Sequence, residues 1–209
     1  MVLRLKSRLI QQQKVLNQES DHRLLNGLQM IVSLLSLQSR ASANSEAASQ
    51  LAAAANRVAT IGRLHRHLHS CDGSQTIAFK PYLEELCGEY STILSSSECV
   101  NRIIAVEAMD IKLPSTTGIP LGFIVSELIT NAAKYGQGPI TVTLVQSPEK
   151  GYALTVSNDG LPLPEGFDAA KFTGLGMKII QSLVRQIHGE LRVDPGDRNQ
   201  GTRCMVLFP

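Results

Sequence analysis

Hydrophobic and polar positions along the chain change period near the middle. Val2 to Arg40 contains no proline and a single glycine, which predicts one long helix. Its first half is polar and glutamine-rich, and only Leu5, Leu9 and Leu16 hint at a coiled-coil seam. From Asp21 on, Leu24, Leu25, Leu28, Met30, Ile31, Val32, Leu34, Leu35 and Leu37 cover most of the circumference. One polar stripe remains: His22, Asn26, Gln29, Ser33, Ser36 and Arg40, spaced four, three, four, three and four. A helix that is apolar on nearly all sides belongs inside a bundle. Residues 41–46 read as a turn, with Asn44 or Ser45 as a helix cap. A second helix follows to about residue 69, with Ala48, Leu51, Ala55, Val58, Gly62, His65 and Leu68 at roughly coiled-coil spacing. The short turn makes the pair antiparallel. One hairpin cannot bury so much apolar surface, so two are expected to pair as a dimeric four-helix bundle.

Beyond the loop at 70–75 the pattern alternates between strands and helices. Thr76 to Phe79 reads as a short strand, and Lys80-Pro81 opens a helix with Leu83, Leu86, Cys87 and Tyr90 on its apolar face. Arg102–Glu107 and Ile111–Leu113 read as the two strands of a hairpin. A helix follows, with Pro120 in its first turn. Then come strands at 139–146 and 152–157, a helix at 175–188 stopped by Gly189, and strands at 190–193 and 203–208. This order predicts an α+β sandwich, one mixed sheet covered on one face by three helices. The expected domains are therefore 1–70, a helical hairpin, and 76–209, the sandwich.

Composition narrows the function classes. The chain has 209 residues, 18% of them charged, and a net charge of +2, so charge gives no reason to expect nucleic-acid binding. No apolar run reaches the roughly 18 residues that would span a bilayer, and the start, Met1-Val-Leu-Arg-Leu-Lys6, is too short and charged for a signal-peptide core. Cys71, Cys87, Cys99 and Cys204 lie far apart without a CxxC pair, which fits buried thiols in a reducing, cytoplasmic setting. His65, His67 and His69 alternate, so consecutive members point to different helix faces and no zinc site is expected from them.

The candidate chemistry begins on the helix that holds Leu121 to Tyr135. Leu121, Ile124, Val125, Leu128 and Ala132 form its apolar stripe, while Glu127, Asn131 and Lys134 share the opposite face. A carboxylate, an amide oxygen and an ammonium in one row suit a hard cation together with a polyphosphate. Three glycine-bearing segments follow: Asn158-Asp159-Gly160 after a strand, Gly174-Leu175-Gly176-Met177 at a helix start, and Gly201-Thr202 before the last strand. In this order the four segments resemble the ATP-binding domain of sensor histidine kinases. The resemblance makes Glu127, Asn131-Ala132, Lys134 and Tyr135 the N box, and the three glycine segments the glycine boxes.

A second resemblance lies upstream. Asp21-His22-Arg23-Leu24-Leu25-Asn26, continued by an apolar run ending Leu37-Gln38-Ser39-Arg40, is similar to the phosphoacceptor helix of the HisKA_2 subfamily. It implies that His22 is the residue phosphorylated, with Asp21 and Asn26 as candidates to fix its tautomer. It further implies ATP and Mg²⁺ as cofactors, with Asn131 as the metal ligand and Glu127 near the reacting proton or a metal-bound water. Lys134 and Tyr135 would sit beside the phosphates, and the N–H groups at Gly174 and Gly176 would meet phosphate oxygens. Gly201-Thr202 would close the adenine end. The expected function is an autophosphorylating protein histidine kinase that passes its phosphoryl group to a response-regulator receiver domain, with no sensor domain within these residues.

One position departs from that family's pattern. Its first glycine box is usually Asp-x-Gly-x-Gly, whereas here it reads Asn158-Asp159-Gly160-Leu161-Pro162. Either Asn158 accepts from the adenine amino group through its side-chain oxygen, or Asp159 does so after a small shift. The segment Glu165–Thr173 between the boxes is short, so any lid over ATP is small. Two rival readings follow. One is a phosphotransfer scaffold with a degenerate ATP-binding domain. The other is an ATPase of the wider gyrase and heat-shock-protein superfamily without a histidine acceptor.

Overall fold

The computed structural model describes residues 2–69, 76–95, 103–160, 174–196 and 200–209. The chain divides into two compact units after His69. The first holds α1 (Val2–Ala41) and α2 (Ser45–His69), packed on each other as a hairpin. The turn is built by side chains. Asn44 caps α2, its Oδ1 accepting from the N–H groups of Glu46 at 2.9 Å and Ala47 at 3.0 Å. The Ser39 hydroxyl reaches across to donate to the Ala48 carbonyl at 2.8 Å.

The face of α1 that α2 covers carries Leu25, Leu28, Val32 and Leu35, all partly buried. Gly62 of α2 lies against Leu25 and Leu28, so the helices approach closely there. On the rest of α1, Leu24, Met30, Ile31, Leu34 and Leu37 stay open, from 46% to 67% exposed. From Leu24 to Leu37, five of the nine apolar side chains of α1 thus stay in water.

The second unit has an orthodox core. Its elements are β1 (Thr76–Ala78), α3 (Phe79–Ser95), β2 (Ile104–Ala108), β3 (Lys112–Pro114), α4 (Ser115–Tyr135), β4 (Gln137–Ser147), β5 (Gly151–Asp159), α5 (Leu175–Gln186), β6 (Glu190–Pro195) and β7 (Thr202–Phe208). Among the described residues, five strands form one sheet in the order β2-β4-β5-β7-β6. β2 runs parallel to β4, and the other neighbours are antiparallel. Register places Val106, Val142, Val156, Cys204 and Val193 in one row across all five strands. The next row, Ala108, Leu144, Leu154, Val206 and Leu191, is also apolar. Both rows belong to the face that the helices cover, with α3 against β2, α4 against β4 and β5, and α5 against β6. The opposite face carries Thr141, Thr143, Ser157, Arg192 and Arg203.

Four expectations are corrected. The segments near 102–107 and 111–113 do not form a hairpin: β2 pairs with β4, and β3 pairs antiparallel with β1. The reason is tertiary. β2 supplies Val106 and Ala108 to the covered face, whereas Leu113 of β3 is buried beside Ile77 of β1, away from that sheet. The residue Phe79 opens α3 rather than ending β1. Pro120 does not stand in the first turn of its helix, because α4 starts five residues earlier at Ser115. On either side of Pro120 stand Gly118 and Gly122, where any side chain would collide with Ile77 and Tyr82 respectively. Packing against β1 and α3 therefore outweighs the hydrogen bond that Pro120 cannot donate. At the end of α5 the left-handed residue is His188, φ 55, not Gly189. Gly189 donates to the Val184 carbonyl at 2.8 Å. It is needed for a different reason: a Cβ there would lie 2.7 Å from the Leu207 carbonyl oxygen of β7.

Candidate functional site

The α4 stripe of Leu121, Ile124, Val125, Leu128 and Ala132 is buried, as its spacing predicts. The polar row beside it is graded. Glu127 is buried, Asn131 is partly buried, and Lys134 and Tyr135 are exposed. The row therefore leads from the core to the surface over about 10 Å, the rise of seven helical residues. Residue Glu127 is not on a solvated face, a point periodicity alone did not reveal. Its neighbour Ser126 shares a 2.6 Å hydrogen bond with the Tyr90 hydroxyl, which ties α3 to α4 behind the row. Tyr90 reads in sequence as one more apolar position, and nothing local marked its hydroxyl.

The third row of the sheet breaks the apolar rule. It reads Ile104, Ile140, Asn158, Thr202 and Pro195. Asn158 and Thr202 are thus side by side on the helix-covered face. Three glycines close around Asn158. Gly136, just after α4, faces the Asn158 amide, and a side chain there would overlap it. Gly160 has φ 137, and a Cβ on it would sit 2.9 Å from the Gln137 nitrogen. Gly201 has φ 69, donates to the Gly160 carbonyl at 3.0 Å, and has no room for a side chain beside the Asn158 carbonyl. The end of the N-box helix, the first glycine segment and the third therefore meet at one place. Gly136 was missed by the sequence reading; its signal was its position directly after Lys134-Tyr135.

Alternation separates the two residues offered for base recognition. Asn158 turns toward the helix layer, and its Nδ2 donates to the Asp159 carbonyl at 2.6 Å. Asp159 turns the other way, its carboxyl lying beside Gly138. Gly174 stands at the N-terminal end of α5 and accepts from the Lys178 N–H at 3.2 Å. Leu175 is exposed, Gly176 partly buried and Met177 buried, with α5 packed along α4. Pro162 and the segment Glu165–Thr173 lie outside the described residues.

The candidate acceptor His22 belongs to the first unit and is exposed, as are Arg23 and Asn26. An ion pair stands beside it, Arg23 Nη2 to Glu19 Oε1 at 2.6 Å. The side chains of Asp21, His65, His67 and His69 lie outside the described part. So do Cys71 and Cys99. Burial raises the Cys87 thiol from 9.0 to about 12. The Cys204 thiol rises likewise to about 12, through burial and then through the charge of Asp194. Neither offers a thiolate nucleophile at neutral pH. Among the described residues, no helix is long and apolar enough to cross a membrane.

Residues 19–94 match the HisKA_2 family model, described as histidine kinase. Residues 116–209 match the model of histidine kinase-, DNA gyrase B- and HSP90-like ATPases, so the second unit is of a nucleotide-binding ATPase type. The chain is 28% identical over 200 residues to the sensor histidine kinase PdtaS of Mycobacterium tuberculosis, covering 91% of this chain and 38% of that protein. PdtaS of Mycolicibacterium smegmatis is 30% identical over 175 residues, 79% of this chain and 34% of its own length. Blue-light-activated histidine kinase 2 of Erythrobacter litoralis is 28% identical over 197 residues, 91% of this chain and 56% of that protein. The chain thus spans between about a third and just over half of these relatives. In fold it is similar to the histidine kinase domain of the Erythrobacter litoralis EL346 blue-light-activated kinase, with a TM-score of 0.67 at 23% identity, covering 91% of this chain and 93% of that one. The two family models together take in most of the chain, which belongs to the histidine kinases, the HisKA_2 match running from the hairpin through α3 and the ATPase match covering α4 to β7.

Proposed function

We propose that the chain is an ATP-dependent protein histidine kinase core of a two-component system. It would autophosphorylate His22 and pass the phosphoryl group to an aspartate of a response-regulator receiver domain in the cytoplasm. The observation that carries the reading is the pairing, in one polypeptide, of a solvent-open His22 with a second unit in which Gly136, Asn158, Gly160 and Gly201 converge beyond the Glu127–Lys134 row. The donor set suits Mg-ATP: a buried carboxylate, a half-buried amide oxygen and an exposed ammonium stand in sequence on one helix. Asn131 would hold the Mg²⁺, Lys134 and Tyr135 would border the phosphates, and the first N–H groups of α5, at Gly174 to Met177, would add donors to phosphate oxygens. When bound, Mg-ATP supplies the transferable γ-phosphoryl group and offsets its charge. Glu127 would orient the Asn131 end of the row or take up a proton near it. Asn158 would read the base through Oδ1, because its Nδ2 is engaged by the Asp159 carbonyl. Thr202, beside it in register, and Gly201 would border the same end.

The open apolar side chains of α1, Leu24, Met30, Ile31, Leu34 and Leu37, support a homodimer through the hairpins. The kinase reading is tested with γ-labelled ATP and Mg²⁺. The expected product is acid-labile, alkali-stable label that disappears in His22→Gln. Nucleotide binding without label would instead support a plain ATPase.

One observation favours the scaffold reading. Asn158 replaces the usual carboxylate with a neutral amide already committed to its own strand. A neutral acceptor binds an amino group less strongly than an ionised one. The scaffold reading predicts neither label nor nucleotide binding, but uptake of phosphate on His22 from a phosphorylated receiver domain.

A further inference from the structure

We infer that Arg23 is the side chain that holds the phosphoryl group once it is on His22, and that Glu19 parks the Arg23 guanidinium while the imidazole is unmodified. This rests on the reading of His22 as the acceptor. Successive helical residues turn by about 100°, so Glu19, His22, Arg23 and Asn26 fall within roughly one quarter to one third of the circumference of α1, over two turns. All four are exposed. Arg23 is drawn to one side of that patch by its 2.6 Å contact with Glu19. The pair is open to water on both sides, with side-chain exposures of 80% and 58%. Such a pair orders a guanidinium without trapping it.

Phosphorylation changes the balance at this spot. In the transfer, an imidazole nitrogen gives its lone pair to phosphorus as the bond to the bridging oxygen breaks. The electron pair leaves with the nucleoside diphosphate, and the ring proton passes to water. The product places a dianion with acceptor oxygens one residue from Arg23 and three residues from Glu19. It repels the Glu19 carboxylate, a same-face neighbour at that spacing, and attracts the guanidinium. A planar fork matches phosphoryl oxygens in a bidentate way, which an ammonium cannot reproduce. One event therefore weakens the old pair and supplies its replacement.

The test bypasses the nucleotide pocket. The full chain is phosphorylated chemically with phosphoramidate, and the phosphohistidine is followed by ³¹P NMR and by loss of acid-labile phosphate. Label present in the parent and absent in His22→Gln places it on His22. Arg23→Ala is expected to shorten the phosphohistidine half-life about threefold, and Arg23→Lys to restore only part of it. Glu19→Gln is expected to lengthen the half-life about twofold, since the carboxylate no longer competes. Circular dichroism should show unchanged helicity in all three, because both side chains are on the open face of α1. Half-lives unchanged in Arg23→Ala would overturn the inference, as would equal shortening in Arg23→Ala and Glu19→Gln. If phosphoramidate labels His22 and ATP does not, the kinase reading fails while the role of Arg23 is still decided by the half-lives.

Discussion

The two units of this chain solve the burial problem in different ways. In the sandwich, Leu121, Ile124, Ile140, Leu144 and Leu154 are fully buried by the chain's own elements. In the hairpin, Met30, Leu34 and Leu37 are more than half exposed although they are as apolar as any core residue. The sandwich has a sheet to cover and helices to cover it. The hairpin has only two helices, and a helix that is apolar nearly all round needs more than one neighbour. The polar exceptions differ as well. In the sandwich, Asn158 and Thr202 interrupt an apolar row at one edge of the covered face, and Ser126 and Glu127 are buried on α4. In the hairpin, His22, Asn26, Gln29 and Ser33 stand exposed along one stripe of α1, while Thr60 of α2 is buried. One core is closed by its own elements, whereas the other leaves apolar side chains and His22 open to water.

The contrast is breakable at five points. The largest effect is expected from Leu154→Ala, which should lower the unfolding free energy of the sandwich by about 3 kcal/mol, independent of protein concentration, in denaturant titrations. Gly201→Ala should cost about 2 kcal/mol, since φ 69 and the Asn158 carbonyl both oppose a side chain there. Weakened nucleotide binding in the same variant, read by calorimetry, would tie the strain to the pocket. On the hairpin, Leu34→Asp should leave thermal unfolding of the sandwich unchanged and raise the dimer dissociation constant about tenfold, equivalent to about 1.4 kcal/mol. Sedimentation across a dilution series reads this directly, and an unchanged profile would remove the case for pairing through that face. Asn158→Asp should destabilise the nucleotide-free sandwich by about 1 kcal/mol, because an ionised carboxyl cannot donate to the Asp159 carbonyl. Added ATP should offset this if the position reads an amino group. The smallest change is expected at the sheet edge. Arg192 bridges Glu149 at 2.7 Å and Glu190 at 2.8 Å. Its hydrogen bond and charge hold the Glu190 carboxyl below the usual carboxylate range, helped by Lys150. These groups are open to solvent, so Arg192→Ala should change stability only slightly, and less still at high salt.

Local pattern carried much of this protein. The helical period of α1 and α4 was visible because it needs only near neighbours, and the cap was narrowed to Asn44 or Ser45 because its bonds, made by Asn44, reach only two and three residues ahead. The order of the four nucleotide-type segments was also legible, since their spacing lies within one stretch of chain. What sequence could not decide were matters of distant pairing. β2 and β3 look like a hairpin until β4 and β1 claim them separately. Pro120 looks like a helix start until Ile77 and Tyr82 are seen packed on the glycines around it. Asn158 and Asp159 were both offered for base recognition, and only register shows that one turns toward the helices and the other away. Glu127 shares a helix face with Asn131 and Lys134, and only the fold shows that it alone of the three is buried. Periodicity fixes which residues share a face, through rotations of a few bonds. Which face meets another element depends on contacts between residues far apart in the chain, and only tertiary packing sets those.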